Sequence, residues 1–388
     1  MSTIEIDVNL PVDSSFTNMI VYEGLAYLLN NINAEIINNT IRVDLNDVRH
    51  VYRNLEEERL KKIRRLQIVG NDLKVVQRFI QQLGITQHNG RITNYGDILI
   101  LIRENSDNIL SDVESIPLRL SISRRDKCIF VGDINNRRNG VSFQLFKTER
   151  YTGITSTEYD YSTKQLTTYF SRDTMLIALL GVYSSFITRV SENRSTYYFF
   201  LFLGPEEIID ILSGNKDARI LFLIKDHIRN VFEELIAKQF SEELLITEIV
   251  ISARIQEFLH KHNISGMSML LVKLAQEGQT YKIYEYIPLT VYRRTELEPY
   301  KILDEILSSD SIVLERLRKR DNVEYNNLIL AIVGLYRYVV LGDKQGMLTM
   351  IRELHNAYTK VKADEKLKKY ANQYERMLKD LSHVARLL

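Results

Sequence analysis

Cysteine is nearly absent: Cys128 is the single thiol in 388 residues. One thiol cannot staple a chain to itself, which excludes the small disulfide-framed folds of secreted proteins. Long apolar runs are absent as well. The longest, Met175–Ile187 and Leu328–Leu341, fall short of the ~20 residues that span a bilayer, and Arg337 interrupts the second. Both read as buried core helices, and no membrane contact is expected. The opening MSTIEIDVNLPV has no basic flank ahead of an apolar core. No secretory leader is therefore expected, and the chain is placed in the cytoplasm. Charge of one sign is missing too: 51 basic side chains face 50 acidic ones, a net charge of +1. A polycation that coats nucleic acid by bulk charge is excluded, so any such role must rest on local patches.

The motifs of common catalysts are also missing. There is no G-x-x-x-x-G-K-[ST] phosphate loop, no G-x-G-x-x-G turn and no G-x-S-x-G elbow. Neither H-E-x-x-H nor a Cys pair is present, which removes the common zinc sites. Among the seven histidines only His260 and His262 stand close together. Residues two apart on a helix point to different faces and do not readily share a metal. Asp226-His227 reverses the His-Asp order of HD-type hydrolases and lacks their supporting histidines, so it reads as a helix surface. No cofactor, metal or catalytic residue is expected, and the chain reads as a non-enzyme. Fifty acids leave a dispersed carboxylate site open, but no spacing points to one.

What is present is an ordinary globular composition, 45% apolar and 26% charged, in a chain long enough for a sizeable core. An apolar helix is predicted from Ser14 to Asn31, capped by Asp13, Ser14 or Ser15, with Gly24 inside it marking a close approach. Two short strands should follow around an Asn38-Asn39 turn, because asparagine tolerates the positive φ of a two-residue hairpin. Residues 45–69 read as charged helix, Leu73–Leu83 as a second helix ending at Gly84, and DILILIREN (97–105) as a strand. Leu118–Lys147 reads as a hairpin with NNRRNG at its tip, and Leu166–Val190 returns to a helical period. Thr196–Gly204 is a buried strand, and Pro205 opens a helix, where its missing N–H does no harm. Long helices are predicted at Asp217–Gln239 and Glu242–His262, then a second hairpin over Met269–Arg293 turning near Gly278. Helices alone follow. The fold class is α+β: a mixed α/β N-terminal body with β-hairpins over 1–296, and a C-terminal helical bundle over 297–388.

The strongest positive feature is the basic hairpin. Pro117–Arg150 holds eight Lys/Arg against Asp126, Asp133 and Glu149, a local charge of +5. Arg124, Arg125 and Lys127 flank one strand, and Asn136, Arg137, Arg138 and Asn139 sit in the expected tip. Arginine grips phosphate or a guanine edge with paired hydrogen bonds, and asparagine does likewise with adenine. The alternative is a solvated hairpin whose arginines keep a sheet edge soluble. Arg59–Arg65 (RLKKIRR) follows three glutamates, which favours a helix laced by i,i+4 pairs. Glu315–Arg320 (ERLRKR) is open to both readings. Tyr292-Arg293-Arg294 closes the second hairpin, where it could stack on and clamp a strand; tyrosine at such frequency is also ordinary amphipathic packing.

The opening DSSFTNMIVYEGLAYLLNN, with Glu23-Gly24-Leu25-Ala26-Tyr27-Leu28-Leu29 at its centre, and the hairpin AEIINNTIRVD resemble the start of large subunits of type I CRISPR Cascade complexes, the archaeal type I-A form above all. The likeness covers Asp13–Asp44 at the level of motifs and the rest by order of parts. It implies a non-catalytic subunit of a crRNA-guided surveillance complex in antiviral defence. Such a subunit binds RNA and target double-stranded DNA near the protospacer-adjacent motif. Its partners are crRNA-loaded backbone subunits and the helicase–nuclease, with guide pairing reading the remaining sequence. No base-reading residue transfers by motif. Arg124, Arg125, Lys127, Asn136, Arg137, Arg138, Asn139, Arg293 and Arg294 are candidates on local charge and placement. The rival reading, favoured by near-neutral charge and 22 tyrosines, is a scaffold protein of an archaeal mobile element without direct DNA contact.

Overall fold

The computed structural model describes residues 3–70, 72–85, 91–110, 112–123, 125–151, 166–192, 195–236, 249, 253–296, 300, 303, 307, 311–319 and 321–387. Thirteen α-helices and two sheets among them make an α+β fold with a helical C-terminal region. None of these helices is long and apolar enough to cross a membrane. Packing divides the chain into two compact units: Met1–Phe222 with Ser268–Pro288, and Leu223–Met267 with Leu289–Leu388.

The first unit is built on a six-stranded sheet. Strands β1 (Thr3–Asn9), β2 (Glu35–Ile37), β3 (Thr40–Asp44), β4 (Ser115–Ser123), β5 (Cys128–Val131) and β6 (Thr167–Phe170) run in the order β2-β3-β1-β4-β5-β6. β1 pairs antiparallel with β3 and parallel with β4, so Ile6 stands between Ile41 and Ile116. With Ile4, Val8, Val43 and Leu118 they give the sheet one buried face. The expected Asn38-Asn39 hairpin joins β2 to β3, with Asn38 at φ 54°.

Two helices fill the centre of this unit, α1 (Phe16–Asn31) and, further on, the helix Arg172–Ser185. Ser15 is the cap of α1 and accepts from the Asn18 N–H. Twelve of the sixteen α1 residues are buried, and the second helix is buried along nearly its whole length. They meet at glycine. A Cβ on Gly24 would collide with the Ile177 carbonyl, and one on Gly181 with the Ile20 carbonyl. The close approach expected at Gly24 is present, and it has a counterpart.

Between β3 and β4 lie α2 (Leu45–Arg53), α3 (Glu57–Ile63), α4 (Asp72–Gln82) and α5 (Tyr95–Glu104). DILILIREN is therefore helix, not strand. Asn94 caps α5 by accepting from the Asp97 N–H, and Ile98, Leu99 and Ile102 share a buried helical face. A short apolar run satisfies either period, and here the cap and the packing of Gly96 against α3 decide. Leu166–Val190 is likewise not one helix: β6, α6 (Arg172–Ser185) and the start of β7 (Phe186–Glu192) share it.

The second sheet has the order β10-β9-β8-β7, with β8 (Ser195–Leu203), β9 (Gly266–Glu277) and β10 (Thr280–Tyr292) matching the predicted strand and second hairpin. Its Phe200 and Phe202 meet Phe16 of α1 edge-on at 5.5 and 5.6 Å. α7 (Pro205–Leu212) begins at its proline as expected. α8 (Ala218–Ile236) follows; of the predicted helix Glu242–His262, residues 242–248 and 250–252 lie outside the described residues, and α9 (Gln256–Lys261) falls in its described part.

The second unit holds α10 (Ile312–Leu317), α11 (Tyr325–Val339), α12 (Lys344–Ala363) and α13 (Lys368–Leu387). α11 and α12 form a hairpin in which Gly334 and Gly346 abut. Arg316 and Glu324 make a buried two-pronged ion pair there, with the Tyr370 ring 4.6 Å from the guanidinium.

Candidate nucleic-acid interface

The basic hairpin exists, but its tip is elsewhere than expected. β4 and β5 pair in the register Leu120↔Val131 to Ser123↔Cys128, which places the reversal between Ser123 and Cys128. Ser123 closes it, donating its hydroxyl to the Asp126 carboxylate at 2.8 Å and accepting the Asp126 N–H. Lys127 takes a φ of 54° to complete the turn. Arg125 is exposed and Lys127 half-buried. Arg124 lies outside the described residues.

Asn135–Gly140 is a loop of the connection from β5 to its parallel neighbour β6. Its backbone is held from outside and within. The Asn136 side chain accepts from the Asn139 N–H at 3.1 Å, Arg78 on α4 donates to the Gly140 carbonyl at 2.9 Å, and Gln82 donates to that of Asn139 at 3.3 Å. Val141 then bridges to Phe170. With the backbone fixed this way, Asn136, Arg137, Arg138 and Asn139 are all exposed. Arg137 turns back and donates Nε to the Cys128 sulfur at 3.0 Å, at the base of that reversal. That contact brings the loop against the residue that follows Lys127, with Arg125, Arg137 and Arg138 exposed. Asp133 pairs with Arg119, while Asp126 accepts the Ser123 hydroxyl, keeps its charge and faces Arg137 electrostatically.

Arg293 and Arg294 belong to the second unit and are put to another use. Arg293 donates to the Asn263 side chain at 2.6 Å. Arg294 donates its backbone N–H to Gln256, takes a hydrogen bond from His260 on its carbonyl, and gives Nη2 to the Val340 carbonyl at the end of α11. A guanidinium on the carbonyl end of a helix supports that end. Each of the other basic stretches buries one arginine, Arg59 or Arg316, and leaves Lys61, Arg64, Arg65, Arg318 and Lys319 exposed. Arg59 is buried and donates to the Tyr183 and Ser184 carbonyls at the end of α6, Arg64 pairs with Asp97, and Arg316 pairs with Glu324. Arg78 belongs with the loop, and no local sequence pattern marked it.

Among the described residues no group of three His, Cys, Asp or Glu stands where it could hold a metal ion. A cavity of about 390 Å³ beside the Asn38-Asn39 turn has no charged group in its lining. The described basic side chains of this region present guanidinium and ammonium donors at the surface.

The chain is 35% identical to a protein of Archaeoglobus fulgidus described only as an uncharacterized protein, over 98% of this chain and all of the relative. It belongs to that protein's family. No family model matches, and no solved structure does.

Proposed function

We propose that this protein is the non-catalytic large subunit of a crRNA-guided type I surveillance complex. In this reading it works in the cytoplasm, contacts duplex DNA near the protospacer-adjacent motif and docks on crRNA-loaded backbone subunits. The observation that carries the reading is the contact of two basic loops through Arg137 and Cys128, with Arg125, Arg137 and Arg138 exposed and Asp133 already paired with Arg119. The resemblance at Asp13–Asp44 supplies the family of complexes, and the archaeal relative agrees in origin. Phosphate contacts supply salt-sensitive affinity, while the asparagines and arginines of the Asn135–Gly140 loop test base edges.

The test is binding of a labelled duplex to the full chain assembled with guide-loaded partner subunits, across a salt series. Replacing Arg125, Arg137 and Arg138 by Ala together should weaken binding by at least about tenfold and lower the salt slope by about 2–3. Unchanged affinity and slope would remove these loops from the interface. A scaffold role without DNA contact is favoured by one observation, the exposed Leu330 and Val333 on one side of α11 with exposed Leu341 just past its end. On that reading the assembled complex forms and binds duplex equally well with or without this chain.

A further inference from the structure

The second sheet carries a cluster that no role in the core explains. β8 and β9 pair Phe199 with Lys273 and Tyr197 with Ala275. On the edge strand β10, Tyr284 comes within 5.4 Å of Tyr197, ring centre to ring centre, with the planes 59° apart. The Lys273 ammonium stands 4.7 Å from the Tyr197 ring, 5.2 Å from Tyr284 and 5.6 Å from Phe199. Tyr284 remains 58% exposed, and Tyr286, two positions on and so on the same face, 37%. Core tyrosines of this chain behave otherwise: Tyr198 and Tyr281, on neighbouring positions of the same strands, are fully buried and meet each other.

The chemistry of the cluster narrows its occupant. A cage of tyrosines ordinarily suits a cationic ligand, but Lys273 already fills this one. What is left open is an electron-rich ring face beside a positive charge. Glu285 stands 3.8 Å from Lys273, at the outer limit of an ion pair, with the lysine side chain 15% exposed. A flat base laid on Tyr284 with its phosphate toward Lys273 uses both features. A duplex cannot, because its base faces are hidden in the stack, whereas every unpaired base has a face to offer.

The geometry points to Tyr197, Tyr284 and Lys273 as a stacking site for an unpaired DNA strand, with Tyr286 as the next position along it. The source of that strand, a duplex opened by the complex, rests on the function proposed above. Stacking on the tyrosines adds no counterion release of its own, so removing a ring leaves the salt slope in place, whereas removing a loop arginine lowers it.

The test uses the purified full chain and a fluorescein-labelled 20-nucleotide oligo-dT, with oligo-rU and a duplex of the same length as comparisons. Tyr197→Leu and Tyr284→Leu keep apolar bulk on the sheet, and each should lower oligo-dT affinity about tenfold without changing the salt slope. Tyr284→Phe keeps the ring and should bind as the parent does. Circular dichroism of each variant checks that the sheet is intact. Absent oligo-dT binding by the parent, parent-like binding by both leucine variants, or tighter binding of oligo-rU would overturn the inference. Loss of duplex binding on replacing the arginines, with oligo-dT binding indifferent to the tyrosines, would sink this site alone. Tyrosine-dependent oligo-dT binding with no duplex binding in the assembled complex would sink the proposed function and leave this site standing.

Discussion

The loop at Arg137-Arg138 and the strand end at Arg293-Arg294 read alike in sequence, each an arginine pair near a turn, and the fold uses them in opposite ways. In the loop, other residues hold the backbone. Arg78 and Gln82 take its carbonyls, and its own arginines stay exposed, Arg137 with its Nε on the Cys128 sulfur. At the strand end the arginines themselves do the holding, and Arg294 joins Gln256, His260 and the end of α11. Arg316 is the extreme of the second kind, sealed against Glu324. The lesson is that a guanidinium is free for a ligand only where something else satisfies the local backbone.

Substitutions can break this contrast, beginning where the effect is largest. Glu324→Ala leaves the Arg316 charge buried without its partner and should cost about 3–5 kcal/mol of stability, read from urea unfolding followed by circular dichroism. Arg294→Ala strips the Val340 carbonyl of its donor and opens space beside Gly342; a loss of about 2–3 kcal/mol is expected in the same assay. Replacing Arg137 and Arg138 by Ala should move stability by no more than about 0.5 kcal/mol, the mark of arginines the fold does not need. A loss there as large as at Arg294 would erase the distinction.

Asp72 sharpens the comparison from the side of the loop's support. It is buried at the start of α4, the helix that carries Arg78 and Gln82, and accepts the Gln144 N–H at 2.6 Å. Burial pushes its carboxyl up to about 6, against the pull of that N–H and of Lys147. The folded chain thus binds this proton more tightly than the unfolded chain, where an aspartate titrates near ~3.9. The group's contribution to stability is greatest below that value and is lost as pH rises through about 6. Asp72→Asn keeps an oxygen for Gln144 and should flatten the pH dependence of unfolding between about pH 4 and 6. It should also raise stability at pH 7.5 by about 3 kcal/mol, the energy of the avoided ionisation.

Legibility followed the range of the interactions. The turn at Asn38-Asn39, the strand Ser195–Leu203, the Pro205 helix start and the hairpin around Gly278 depend on a few adjacent residues, and all were readable. DILILIREN was not, because a short apolar run fits two periods and the cap at Asn94 with the packing of Gly96 chose between them. Asn135–Gly140 has the composition of a hairpin tip, yet the actual reversal uses Lys127 in a left-handed conformation that lysine seldom adopts. Charge alone found Arg125, Lys127, Arg137 and Arg138. The contact of Arg137 with Cys128, and the support from Arg78, depend on partners distant in sequence and had no local signal.

The contact of Gly24 with Gly181 bears on how the chain is made. α1 is apolar on nearly every side, and its partner is more than 140 residues later in the chain. At about 5–20 residues per second, a ribosome needs on the order of ten seconds to deliver that partner. During that interval α1 has emerged, or is emerging, with no native surface to cover it. The central helix pair therefore closes late in synthesis, and the nascent chain depends on transient shielding to reach the folded state.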